Sequence, residues 1–179
     1  MNPRILIATL LAVTGLFIGG CATPAQSNAM IPTSMGTVTK HQESVSLNVT
    51  GGSETSAAGA SQISNADFAS ALGQSIQQSG LFAKIIPAGQ SSDYHLEVAI
   101  VRLQQPMFGF SMTATIETNW TLTKVSDHTV AWRKAITTSH TAKTGEAFAG
   151  VTRLRLATEG AARDNIQDAI SQLSGVTLP

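Results

Sequence analysis

From Phe110 onward the chain alternates with a period of two. The even positions Phe110, Met112, Ala114, Ile116, Trp120 and Leu122 are apolar, with Thr118 as the exception. The odd positions Ser111, Thr113, Thr115, Glu117, Asn119, Thr121 and Thr123 are all polar. This spacing predicts a long strand with one dry face and one wet face. After Ser126-Asp127-His128 the alternation resumes, with Val130, Trp132 and Ile136 set against Thr129, Arg133 and Thr137. The two runs predict an antiparallel hairpin. Opposed residues of paired strands share a face, so the even positions of both runs must meet. Pairing Trp120 with Trp132 also sets Leu122 opposite Val130 and Ile116 opposite Ile136, which makes the two indoles neighbours on the buried face. A register two residues away puts Trp120 against Lys134 and Ile116 against Thr138, with less apolar contact.

The same periodicities place the other elements. Val45, Leu47 and Val49 alternate with Ser44, Ser46, Asn48 and Thr50, and Tyr94, Leu96, Val98 and Ile100 alternate with His95, Glu97 and Ala99. Both runs read as strands, and Leu81 to Ile86 form a shorter apolar one ended by Pro87. Ser64 opens a helix with Asp67 three residues on, an arrangement resembling a capping box. Phe68, Leu72 and Ile76 then recur every four residues, and Gly80 stands where a left-handed cap is expected. A last helix is expected from Glu146 to about Leu173, with Ala147, Val151, Leu154, Ala157, Ala161, Ile166, Ile170 and Leu173 on one stripe. Gly160 in its middle marks close contact with the sheet, and Arg155, Glu159 and Arg163 are spaced as surface ion pairs. The expected fold is α+β: an antiparallel sheet of four to five strands with two helices packed on one face, in the order β-α-β-β-β-β-α.

The amino-terminal part follows a different rule. Arg4 precedes an almost wholly apolar run, Ile5 to Ile18, followed by Gly19, Gly20 and Cys21. This is the charged, apolar, small-residue order of a secretory signal, too short for a comfortable membrane span. Ile18-Gly19-Gly20-Cys21 resembles the bacterial lipobox, and that resemblance implies cleavage before Cys21, whose thiol and new amine are then acylated. Each buried methylene contributes about 0.8 kcal/mol, so several acyl chains anchor essentially permanently. The residue after Cys21 is Ala22 and not the aspartate of an inner-membrane retention signal. The resemblance therefore implies the periplasmic face of the outer membrane of a Gram-negative cell. Residues 1–20 are expected as signal peptide, 21–42 as a flexible lipidated tether and 43–179 as one domain. The tether is inferred from Pro24, Pro32 and many small polar residues without periodicity.

Composition narrows the function. The chain has 179 residues with formal net charge zero and no basic block, so nucleic acid is not an expected partner. Its single cysteine forms no internal disulfide and has no metal-ligand spacing. His41, His95, His128 and His140 fall in different elements, and none is paired at helical metal-site spacing. His95 and Glu97 share a strand face, where a solvated surface is the simpler reading. Gly51-Gly52 after a strand lacks the remaining residues of a phosphate loop. Gly109-Phe110-Ser111-Met112-Thr113 lacks the last glycine of a nucleophile elbow. Asp164 and Asp168 lie one turn apart on a helix, as surface carboxylates commonly do. No catalytic constellation, metal or cofactor is expected.

The run Asp67 to Ile86 (DFASALGQSIQQSGLFAKII), followed by Ser91 to Leu103 (SSDYHLEVAIVRL), resembles small envelope lipoproteins that accompany transport machineries. These are the auxiliary lipoproteins of ABC-type lipid-trafficking systems and the lipopolysaccharide-assembly lipoprotein, with related domains in the Tol system. The shared pattern is a helix ending in Ser-Gly-Leu-Phe, an Asp-Tyr-x-Leu strand and a Trp-containing hairpin, over roughly 65–132. The resemblance implies a non-catalytic adaptor or accessory subunit of an envelope transport or assembly complex, with a membrane partner through Cys21 and a protein partner of unknown identity. The alternative is a periplasmic carrier that holds a lipid or other apolar molecule between sheet and helices. Pro106, Met107, Phe108 and Phe110 are the candidate interaction surface. Apolar residues in a wide turn ordinarily tuck back into the core; if exposed they form a binding patch.

Overall fold

The computed structural model describes residues 21–56 and 59–179. The expected signal peptide, residues 1–20, lies outside the described residues. The fold is α+β, with one five-stranded sheet and two helices. Strands β1 (His41–Thr50), β2 (Phe82–Ile86), β3 (Tyr94–Gln104), β4 (Met112–Lys124) and β5 (Val130–Ala142) lie in the order β2-β1-β3-β4-β5. Helix α1 (Asn65–Ser79) joins β1 to β2, and α2 (Gly150–Ser174) follows β5.

The sheet is mixed rather than antiparallel, because β1 runs parallel to both β2 and β3. Alternation reports that a strand has one wet face; it does not report direction. Direction follows from the connections, since a helix between two neighbouring strands returns the chain to the same end of the sheet. The two parallel partners take successive parts of β1: β2 pairs with His41 to Ser46, and β3 with Val45 to Thr50. Residues 87–93 therefore need only cross β1 sideways, over Ser46. Ser92 Oγ donates to Ser46 Oγ at 2.9 Å, and Ser46 Oγ lies 2.9 Å from His95 Nδ1, which pins the crossing and buries Ser46.

Both helices cover the same face, α1 over β1 and β2, α2 over β4 and β5. Ser64 caps α1 by accepting from Asp67 N–H at 3.0 Å while its hydroxyl donates to the Asp67 carboxylate. Gly80 ends the helix at φ 64°, a left-handed conformation that a side chain disfavours, and its N–H bonds to Ile76 O. Phe68, Leu72, Ile76, Leu96, Ile116, Trp120, Leu122 and Ile166 are fully buried where the layers meet. At Gly160 the ring of His140 lies where a Cβ would be, so α2 approaches β5 as closely as the expected small residue permits.

The hairpin register differs from the expected one. Trp120 stands opposite Lys134, Leu122 opposite Trp132, Thr118 opposite Ile136 and Ile116 opposite Thr138. A bulge at the Leu122–Thr123 step leaves Ala131 of β5 without an opposed residue and changes the count. The register follows the cover of α2 over the middle of β5. Trp120 Nε1–H donates to Thr118 Oγ1 at 2.7 Å, the Thr118 hydroxyl donates to Asn165 Oδ1 at 2.7 Å, and Asn165 Nδ2 donates to Ile136 O at 3.2 Å. This buried chain ties β4, β5 and α2 together, and it needs Ile136 beside Thr118. The ring partner of Trp120 is Phe68, at 6.1 Å between centroids, while Trp132 shares the face of Trp120 and is half-buried.

The expected tether is not free. Ala25, Met30 and Pro32 are buried, and a short 3-10 turn at Ser27–Met30 packs across both helices. Gln26 N–H donates to Glu159 Oε1 at 3.0 Å, and Arg163 Nη1 donates to Ala29 O at 3.2 Å. Glu159, expected on the helix surface, is therefore buried beneath this strap, with Arg155 at 3.6 Å. Three buried residues and a few well-placed hydrogen bonds order a segment whose composition reads as linker.

Candidate functional site

The C-terminal ends of β1 and β3, the start of β4 and the N-termini of both helices gather at one end of the domain. There the chain from 105 to 111 leaves Met107, Phe108 and Phe110 at 94%, 87% and 87% exposure, with Pro106 partly covered. The apolar turn does not tuck into the core. Phe110, expected in β4, belongs to this loop, since the strand begins at Met112.

The preceding loop of α2 adds to the patch. The helix begins at Gly150 rather than Glu146, because Glu146 turns back and its carboxylate accepts from Lys143 N–H at 2.7 Å. Phe148 is thereby fully exposed, and Val151, expected on the buried stripe, is 40% exposed. Arg153 joins the two loops. Its Nη1 donates to Ala147 O at 2.7 Å and Phe148 O at 2.6 Å, and Nη2 reaches Gly109 O at 3.4 Å. The Arg153 side chain is buried and holds backbone carbonyls.

The strap reaches the same end. Ser61 Oγ donates to Thr23 O at 2.7 Å, and Gln105 Nε2 donates to Ser61 O at 2.6 Å and Thr158 Oγ1 at 2.7 Å. One residue, Ser61, thus bridges Thr23 to Gln105. Cys21, which is exposed, lies two residues before Thr23. Phe148, Arg153 and Gln105 were not read as site residues from sequence. The signal for Phe148 was a lone aromatic among small residues; for Arg153 and Gln105 there was none, because their partners are backbone carbonyls brought together only by the fold.

The other chemistry-bearing residues are dispersed. His41 Nε2 lies 3.0 Å from Leu173 O, His140 Nδ1 lies 3.0 Å from Asp164 Oδ2, and Asp168 accepts from Gln172. His95 meets the Ser46 hydroxyl, which in turn accepts from Ser92, beside a shallow groove of about 530 Å³ at the opposite end of the sheet. There the Ser92 hydroxyl also lies 2.9 Å from Tyr94 O, so these contacts act as strand-to-loop ties. No group of three or more His, Cys, Asp or Glu positioned for a metal occurs among the described residues.

No family model matches the chain, and no curated protein matches its sequence. Its fold matches solved structures at low identity. A Xanthomonas campestris protein of the DUF330 family aligns with TM-score 0.59 and 16% identity, over 83% of this chain and 90% of that one. A hypothetical protein of Chlamydia trachomatis aligns with TM-score 0.55 and 9% identity, over 76% and 98%. PelC of Paraburkholderia phytofirmans, a dodecamer, aligns with TM-score 0.50 and 17% identity, over 80% and 92%. The chain shares the fold of these proteins.

Proposed function

We propose that the chain is a periplasmic lipoprotein held in the outer membrane of a Gram-negative cell by acyl chains on Cys21. Its domain serves as a non-catalytic adaptor or accessory subunit of an envelope transport or assembly complex. The observation that carries the anchor is the order Arg4, apolar run, Ile18-Gly19-Gly20-Cys21, with folded structure resuming two residues later at Thr23. A thiol placed between an export signal and a packed strap has no packing role, and acylation gives it one.

The adaptor reading is supported by the long edge of the sheet. The thirteen residues of β5 pair with β4 on one side and with no strand on the other among the described residues. Such an edge can accept a strand from a partner. The carrier reading has less support, because Trp120, Phe68, Leu72 and Ile166 fill the space between sheet and helices.

Cys21→Ser should abolish palmitate incorporation and leave the precursor uncut; labelling equal to wild type would refute the anchor. For the adaptor, a photo-crosslinking residue at Arg133 on β5 should capture a recurrent envelope protein in living cells. Adducts with lipid alone would refute it.

A further inference from the structure

We infer that the apolar end formed by Met107, Phe108, Phe110 and Phe148 sits in the interfacial layer of the same bilayer that holds the Cys21 acyl chains. This rests on the lipid-anchor reading and extends it: the domain lies on the membrane instead of hanging from it. Four large apolar side chains, each at least 87% exposed, gather on two adjoining loops. A patch of this kind needs an occupant. Its position names one. Thr23 and Gln105 are tied through Ser61, so Cys21 and Met107 each lie only two residues from a shared anchoring point. Two residues span at most about 7 Å, so each arm leaves close to the Ser61 tie and the acyl chains emerge at the same end of the domain as the patch. The bilayer surface therefore meets these side chains whenever the anchor is inserted.

The backbone behind the patch is prepared for a dry environment. Arg153 donates to the carbonyls of Ala147 and Phe148 and reaches toward that of Gly109, groups that would otherwise lose water without a partner. Pro106 contributes no N–H to be desolvated. Aromatic rings on short loops favour the headgroup boundary over deep insertion, and no helix among the described residues is long and apolar enough to cross a membrane.

The test uses the mature, full-length protein, whose only native thiol is acylated, so that one introduced cysteine can be labelled alone. Phe108→Cys at the patch and Ser126→Cys in the β4–β5 turn at the far end each receive an environment-sensitive NBD dye. Both residues are exposed, so folding is undisturbed. The proteins are reconstituted into phosphatidylethanolamine–phosphatidylglycerol vesicles carrying lipids with a shallow or a deep doxyl quencher. The expected result is blue-shifted emission at position 108, quenched severalfold more by shallow than by deep lipids, with water-like emission at 126. Intact-mass measurement of the same preparation reports the acyl chains independently. Acylated protein with water-like emission at 108 overturns this inference and leaves the anchor standing. Absence of acyl chains from the intact mass refutes the anchor. The doubly substituted Cys21→Ser, Phe108→Cys protein, which carries one thiol, then supports membrane docking if quenched in the same vesicles and overturns the inference if its emission is water-like. Water-like emission in vesicles with burial of 108 in native envelopes assigns the patch to a protein partner and overturns the inference.

Discussion

The buried hydrogen-bond chain between sheet and α2 makes a quantitative prediction. Asn165→Ala removes the amide that accepts from Thr118 and donates to Ile136 O, and it leaves the 3.3 Å contact with Trp120 Nε1 empty. Each net hydrogen bond contributes about 1 kcal/mol, and an unpaired buried group costs about 1–3 kcal/mol. Thr118 Oγ1 already lies 3.3 Å from Ile136 O and can turn to it, which limits the loss. The expected destabilisation is about 2–4 kcal/mol, a large part of the roughly 5–15 kcal/mol that holds an ordinary domain. Thr118→Val keeps the shape and removes the hydroxyl, so Trp120 retains only the long contact to Asn165; about 1–2 kcal/mol is expected. The decisive quantity is the coupling. The two residues share one hydrogen bond, so the double variant should be less destabilised than the sum by about 1 kcal/mol or more. Urea unfolding followed by far-UV circular dichroism, with unchanged m-values, measures all three. Additivity within about 0.5 kcal/mol, or a cost below about 1 kcal/mol for Asn165→Ala, would refute a shared network.

Two further outcomes follow from the helix ends and the strap. Ser64→Ala should cost about 1 kcal/mol by removing the cap of α1, measured by the same unfolding experiment. Ser64→Thr, which keeps a hydroxyl that can accept from Asp67 N–H and donate to its carboxylate, should recover most of it. Burial holds the Glu159 carboxyl above the ordinary glutamate range, opposed by the Gln26 N–H and by the Arg155 and Arg163 charges. The native state then binds this proton more tightly than the unfolded chain does. Stability from this group is fullest below the ordinary glutamate pKa and declines as pH rises through the native value. Glu159→Gln, which keeps an acceptor for Gln26, should remove that decline. Its melting temperature relative to wild type should rise between about pH 4 and pH 8, and a constant difference would contradict the assignment.

Much of the fold is legible because burial on one face imposes a period. Val45, Tyr94, Leu96, Trp120, Phe68 and Leu72 lie on the faces their spacing predicts. Gly80 and Ser64 end and begin α1 as read, since caps depend on residues close in sequence. The misreadings share a different cause. Maximal apolar contact across two strands favours a different register of β4 and β5, but Thr118 and Asn165 impose a polar requirement that only the third element makes visible. Strand direction depends on a connection and not on any strand's own pattern. The apolar turn is a different case: Met107, Phe108 and Phe110 are visible in the sequence, but whether they tuck in or stand exposed depends on contacts such as that of Arg153 with Gly109 O, 44 residues away.

The strap changes what the anchor does. A free chain from 21 to 42 would wander about 25 Å from the bilayer, by the square-root growth of a flexible linker. Packing Ala25 and Met30 against the helices removes nearly all of that reach, leaving Cys21 and Ala22 ahead of the first tie at Thr23. Ordering such a segment costs conformational entropy, and a protein that only needed tethering would gain nothing by it. The ordered strap fixes orientation instead. Under the proposed anchor it would hold the N-terminal ends of both helices toward the bilayer, with the β4–β5 turn and Pro179, bound by Tyr94 and Lys124, at the far end. In the proposed orientation the open edge of β5 runs along the membrane normal, from the far turn at Val130 to the patch end at Ala142, which would leave most of its length reachable by a partner.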